Sequence, residues 1–109
     1  MMNSASSALV ILVTAGSESE AEKIAMGLVQ EGIAACASIV PKIKSIYTWE
    51  GKIENEEEIL LIIKTRESLF EKVRDRIKSL HSYSVPEIIA LPVTNALKEY
   101  LDWIVEVTV

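Results

Sequence analysis

Two residues with metal-binding or nucleophilic chemistry occur once each in this chain, the cysteine Cys36 and the histidine His81. Thiolate and imidazole are the protein ligands best suited to copper and similar transition metals. Cys36 lies in a run of small residues, Ala34-Ala35-Cys36-Ala37-Ser38, at the start of an extended segment. It reads either as a small buried hydrophobe or as a soft-metal ligand, and no local cation or helix N-terminus marks it as a nucleophile. His81 ends a helical segment, where an imidazole can meet the last carbonyls or serve as metal ligand or general base. With one histidine per chain, a tight metal site would need acids or other subunits to complete it. In the run Glu56-Glu57-Glu58, only Glu56 and Glu58 share a side of a strand, so the run reads as solvated hairpin surface. Tyr47, Trp49, Tyr83 and Trp103 could line a pocket or pack in a core or interface. A Cys36–His81 dyad is arithmetically available, but there is no glycine-rich phosphate loop, Cys-x-x-Cys, His-Glu-x-x-His or Gly-x-Ser-x-Gly.

The elements that must position these residues are legible from periodicity. Leu9 to Val13 is an unbroken β-branched and aliphatic strand stopped by Gly16. Ser17 with Glu20 forms a capping box for a first helix whose stripe includes Ala21, Ile24, Ala25 and Leu28, and Gly32 ends it. A second strand runs from about Ala34 to Trp49 with Pro41 inside it, so it must be an edge or carry a bulge. Glu50-Gly51 fits a two-residue hairpin turn into a third strand, Lys52 to Thr65. A second helix runs from about Glu67 to Leu80, capped by Thr65 or Arg66, with Leu69, Phe70, Val73, Ile77 and Leu80 inward. Pro86 opens a fourth strand, Glu87 to Val93, and Asn95 caps a final helix. The order β-α-β-β-α-β plus a helix is the ferredoxin-like α+β arrangement, an antiparallel sheet with helices on one face.

The chain has 109 residues, 50% of them hydrophobic, which fits one domain at residues 8–109 behind a floppy head at residues 1–7. A chain of this size buries about 65% of its unfolded surface, enough for a core without disulfides or a structural metal. The net charge of −5 and the lack of a basic stripe speak against nucleic acid as a partner. No apolar run approaches the roughly 18 residues of a membrane span, and no basic leader precedes the first strand. With a single cysteine besides, the expected location is the cytoplasm.

The apolar pattern points beyond a monomer. A sheet with one wet face alternates apolar and polar residues. Strand three instead reads Ile59-Leu60-Leu61-Ile62-Ile63, and strands one and four are similarly apolar on both parities. Either Leu97, Leu101 and Ile104 of the last helix cover the second face, or neighbouring copies do. The expectation is a homo-oligomer, with the long hairpin bearing Tyr47 and Trp49 supplying inter-subunit pairing.

Several stretches resemble the CutA family of divalent-cation tolerance proteins: Glu31-Gly32-Ile33-Ala34-Ala35-Cys36-Ala37, Ser45-Ile46-Tyr47-Thr48-Trp49-Glu50-Gly51-Lys52-Ile53, Lys64-Thr65, His81-Ser82-Tyr83-Ser84-Val85-Pro86-Glu87 and Tyr100-Leu101-Asp102-Trp103-Ile104. The resemblance runs from about Leu9 to the end. It implies a ferredoxin-like subunit in a homotrimer built like the PII signalling proteins, without catalysis and tied to tolerance of copper and other divalent metals. The family's His-Pro-Tyr reads His81-Ser82-Tyr83 here. Positions that carry a further Cys and His in some bacterial relatives correspond to Val13 and Leu80, which cannot ligate. His81 is then the first candidate Cu(II) ligand and Cys36 the second. The alternative implied by the PII likeness is a sensor or scaffold binding a small anion between subunits, in a pocket near Tyr47, Trp49, Lys64, Tyr83 and Glu87.

Overall fold

In the computed structural model, which describes residues 7–109, the first strand lies inside the sheet. Strand β1 (Ala8–Ala15) pairs antiparallel with β3 (Lys52–Arg66) on one side and β4 (Ile88–Pro92) on the other, and β2 (Cys36–Trp49) flanks β3. The order β2-β3-β1-β4 is that of a ferredoxin-like sheet. Expectations for residues 1–6 lie outside the described residues.

Helices α1 (Glu18–Gln30) and α2 (Phe70–Leu80) cover one face. Leu9, Ile11, Val13 and Ala15 of β1 and Ile59, Leu61 and Ile63 of β3 meet Ile24, Leu28, Val73 and Ile77 there in one buried cluster. At α1 the expected N-cap forms, but the reciprocal half of the capping box is not seen, because the Glu20 carboxylate is drawn to Ser82. Ser17 Oγ accepts the Glu20 N–H at 3.2 Å. At the other end Gly32 adopts φ +73°, and the bonds Gly32 N–H to Val29 O and Ile33 N–H to Leu28 O close a Schellman motif. The α2 segment opens differently: Glu67–Leu69 is a 3-10 turn, and neither Thr65 nor Arg66 caps it through a side chain. Thr65 is buried and donates to Ile33 O instead.

Pro41 does both things its chemistry allows. Strand β2 is an edge, and its register slips between Val40↔Leu60 and Ile43↔Glu58, so Pro41 and Lys42 face one residue of β3 in a β-bulge. Lys42 takes φ +59° in that bulge. Beyond it, the paired strands turn at Glu50 (φ 51°) and Gly51 (φ 79°), the backbone of a type I′ hairpin. Pairing of β3 with β1 stops at Ile59, so Lys52–Glu58 is held by β2 alone and projects, stretching the molecule to 46 Å.

The last helix, α3 (Lys98–Val107), begins two residues later than expected. Asn95 does not cap it; its amide turns to Thr94 Oγ1 at 3.4 Å, and Leu97 precedes the helix without a side-chain bond. Ile104 and Leu101 pack on Ala8 and Ala35 at one end of the second sheet face. Leu97 is 70% exposed, and Ile89 and Leu91 in mid-face remain half exposed. The terminal helix therefore does not cover that face alone. Among the described residues no helix is long and apolar enough to cross a membrane.

Candidate functional site

His81 follows α2 directly, and its side chain is fully buried. The Tyr83 N–H donates to Nδ1 at 3.0 Å, which places the ring proton on Nε2, and Nε2–H donates to Thr14 O at 2.7 Å. Both nitrogens of the neutral imidazole are thus occupied. The ring stacks obliquely on Tyr83, with centroids 4.6 Å apart. The site is the knot that ties the α2–β4 loop to the end of β1.

Two carboxylates hold this loop. Glu20, the acid of the expected capping box, reaches across to Ser82 and accepts from its N–H at 2.6 Å and from its hydroxyl at 3.1 Å. Its nearer oxygen lies 3.9 Å from His81 Nδ1. Burial works against the Glu20 anion, but the Ser82 donors and the Gly16 N–H outweigh it and hold its pKa below the ordinary value. Glu58, only 6% exposed, accepts from the Tyr83 hydroxyl at 2.7 Å. Burial, that bond and the Glu58 charge raise the Tyr83 pKa. The phenol packs over Gly16, where a Cβ would stand in ordinary contact with the Tyr83 oxygen at 3.4 Å.

The projecting hairpin carries a second phenol–carboxylate pair. Tyr47 donates to Glu56 at 2.6 Å, and this bond to the anion leads the causes that push the Tyr47 pKa up to about 12. Glu56 and Glu58 do share one side of β3. Glu58, though, is buried and bonded rather than solvated, a correction to the expectation from the acidic run, which could not foresee Tyr83 folding over it. Trp49 lies near the hairpin tip, about half exposed, and Glu87 is exposed just before β4.

Lys64 and Cys36 lie elsewhere. They are cross-strand partners, with Lys64 Nζ 3.9 Å from Cys36 Sγ and 3.4 Å from Ser38 Oγ. Lys64 pairs with Val10 and Leu60 with Thr14, the residue that receives His81. Four residues of strand separate these rungs, about 13 Å. One subunit thus brings together Tyr47, Tyr83, Glu56, Glu58 and His81, and leaves Cys36 and Lys64 apart. Periodicity offered no signal for Thr14, Gly16, Glu20 and Ser82, because their roles arise only when α1 meets the α2–β4 loop. Among the described residues no group of three or more His, Cys, Asp and Glu converges on a metal position.

The architecture defines a ferredoxin-like α+β subunit with a projecting hairpin and a tyrosine–carboxylate knot at one end of the sheet. The model of the CutA1 divalent ion tolerance protein family matches residues 9–107. The chain belongs to that family, which is non-catalytic. It is 48% identical over 99 residues to the divalent-cation tolerance protein CutA of Thermus thermophilus, covering 91% of this chain and 96% of that one. The human protein CutA is 45% identical over 96 residues, 88% of this chain but 54% of the human sequence. The solved Thermus thermophilus structure superposes with a TM-score of 0.91 over 93% of this chain and 98% of its own. The CutA structure of Archaeoglobus fulgidus gives 0.89 at 49% identity over 92% and 97%.

Proposed function

We propose that this chain acts as a homotrimer in divalent-cation tolerance, binding or responding to metal without catalysis. Family membership across residues 9–107 supports the cation-tolerance reading. The observation that carries the assembly is the second face of the sheet. Residues of one parity on paired strands, Val10, Leu12, Leu60, Ile62, Ile89 and Leu91, share that face, and none is fully buried. An apolar surface of this kind, with a two-stranded hairpin projecting beyond the sheet, calls for a partner.

For the metal, His81 is the proposed Cu(II) ligand and Cys36 a second candidate at another place. Coordination at His81 must displace either the Tyr83 N–H from Nδ1 or Thr14 O from Nε2–H, so metal uptake there would loosen the Tyr83 loop. Calorimetric titration of wild type and His81→Ala with Cu(II) tests this. Loss of binding in the variant is expected, and unchanged binding would refute the assignment.

The second reading, a PII-like sensor or scaffold that takes a small anion between subunits, is favoured by Lys64. Among the described residues its ammonium group meets a thiol and a hydroxyl and no carboxylate. A thermal-shift screen separates the two readings: stabilisation by metals alone supports the first, stabilisation by nucleotides or other anions the second.

A further inference from the structure

The second sheet face is apolar in the middle and oppositely charged at its ends. At one end Lys64 is half-buried and forms no ion pair among the described residues; its contacts are Ser38 Oγ and Cys36 Sγ. At the other end β3 alternates without interruption, because the bulge lies in β2, so Glu54, Glu56 and Glu58 share the face of Lys64. Tyr47 stands on the same face opposite Glu54 and aims the Glu56 carboxylate by its hydrogen bond. Lys52, nearer the tip, is the one cation of that stretch on the same parity. Glu56 and Lys64 are eight residues apart on one strand, about 27 Å, and cannot meet within a subunit.

Covering this face with protein would strand the Lys64 ammonium in a dry interface beside a thiol and a hydroxyl. A buried cation without a counter-charge is strongly unfavourable, and a carboxylate delivered by the covering chain removes the problem. The projecting hairpin is the part of a second copy that reaches outward and carries such carboxylates. A contact joining the Lys64 end of one copy to the hairpin of the next uses two different patches, and such a contact closes into a ring when its rotation permits.

We propose that Lys64 of each subunit pairs with the Tyr47-oriented Glu56 carboxylate of a second copy, making the charged ends of the sheet face the register mark of the assembly. This rests on the homotrimer reading. A small anion at Lys64 is the competing source of the same negative charge.

The test is the dissociation midpoint of the full chain, read by light scattering on dilution, for wild type, Lys64→Glu, Glu56→Lys and the double charge swap. Each single reversal is expected to weaken assembly roughly tenfold or more, and the swap to recover most of that loss. Recovery cannot come from a variant that merely misfolds. A wild-type trimer that Lys64→Glu leaves equally stable overturns the pairing while the trimer stands, and so does a swap no better than the single reversals. Stabilisation by added phosphate that disappears in Lys64→Glu without change in assembly also overturns it, in favour of the small anion. A monomeric wild type removes the trimer reading and the pairing together.

Discussion

Tyr83 carries more structure than any other residue of the site. Its N–H fixes the His81 tautomer, its ring packs on His81 and over Gly16, and its hydroxyl satisfies Glu58. Tyr83→Phe leaves a buried carboxylate short of its donor, which costs about 1–3 kcal/mol; chemical denaturation of the two proteins should show this loss. Glu20 supplies a pH dependence with a definite sign. Its pKa is lower folded than the ordinary 4.5, so its contribution is present above that value and is lost as pH falls through the folded pKa. Wild type should lose more stability than Glu20→Gln between about pH 6 and about pH 3, read as urea midpoints. Equal losses in the two proteins would contradict the role given to the Ser82 bonds.

At the scale of elements, backbone conformation decides which residues are replaceable. Gly32 holds φ +73° with Val109 Cγ1 only 3.0 Å from where a Cβ would sit. Gly32→Ala should cost about 1–2 kcal/mol in thermal unfolding, from the left-handed penalty together with displacement of Val109. Glu50 takes φ 51° in the hairpin turn, a conformation asparagine tolerates better, so Glu50→Asn should raise stability by up to about 1 kcal/mol. These elements also show what could be read in the chain beforehand. Ser17, Gly32, Pro41 and Glu50-Gly51 are local signals, and each produces its expected cap, bulge or turn. Asn95 misled, since a good capping residue caps only if the helix starts beside it, and α3 starts at Lys98. The site was legible only in part. Tyr47, Tyr83 and His81 stood out by type, whereas Glu20 and Glu58 owe their roles to contacts across 62 and 25 residues of chain.

Over the whole molecule, the division of labour between the sheet faces dominates. One face buries Ile11, Val13, Leu61 and Ile63 completely under two helices. The other exposes Ile89 and Leu91 and receives α3 at its Ala8 end, and the hairpin that projects beyond the sheet leaves Ile53 79% exposed. A lone two-stranded extension is marginal in water, and an assembly resolves both defects at once. A charge placed in mid-face, as in Leu91→Glu, should shift the protein toward monomer while circular dichroism still reports a folded sheet, unless the face is free in solution. The most direct check is light scattering of the wild type after gel filtration. The proposed homotrimer predicts one species at three times the 12.1 kDa of the chain, and a single species at 12.1 kDa would contradict it.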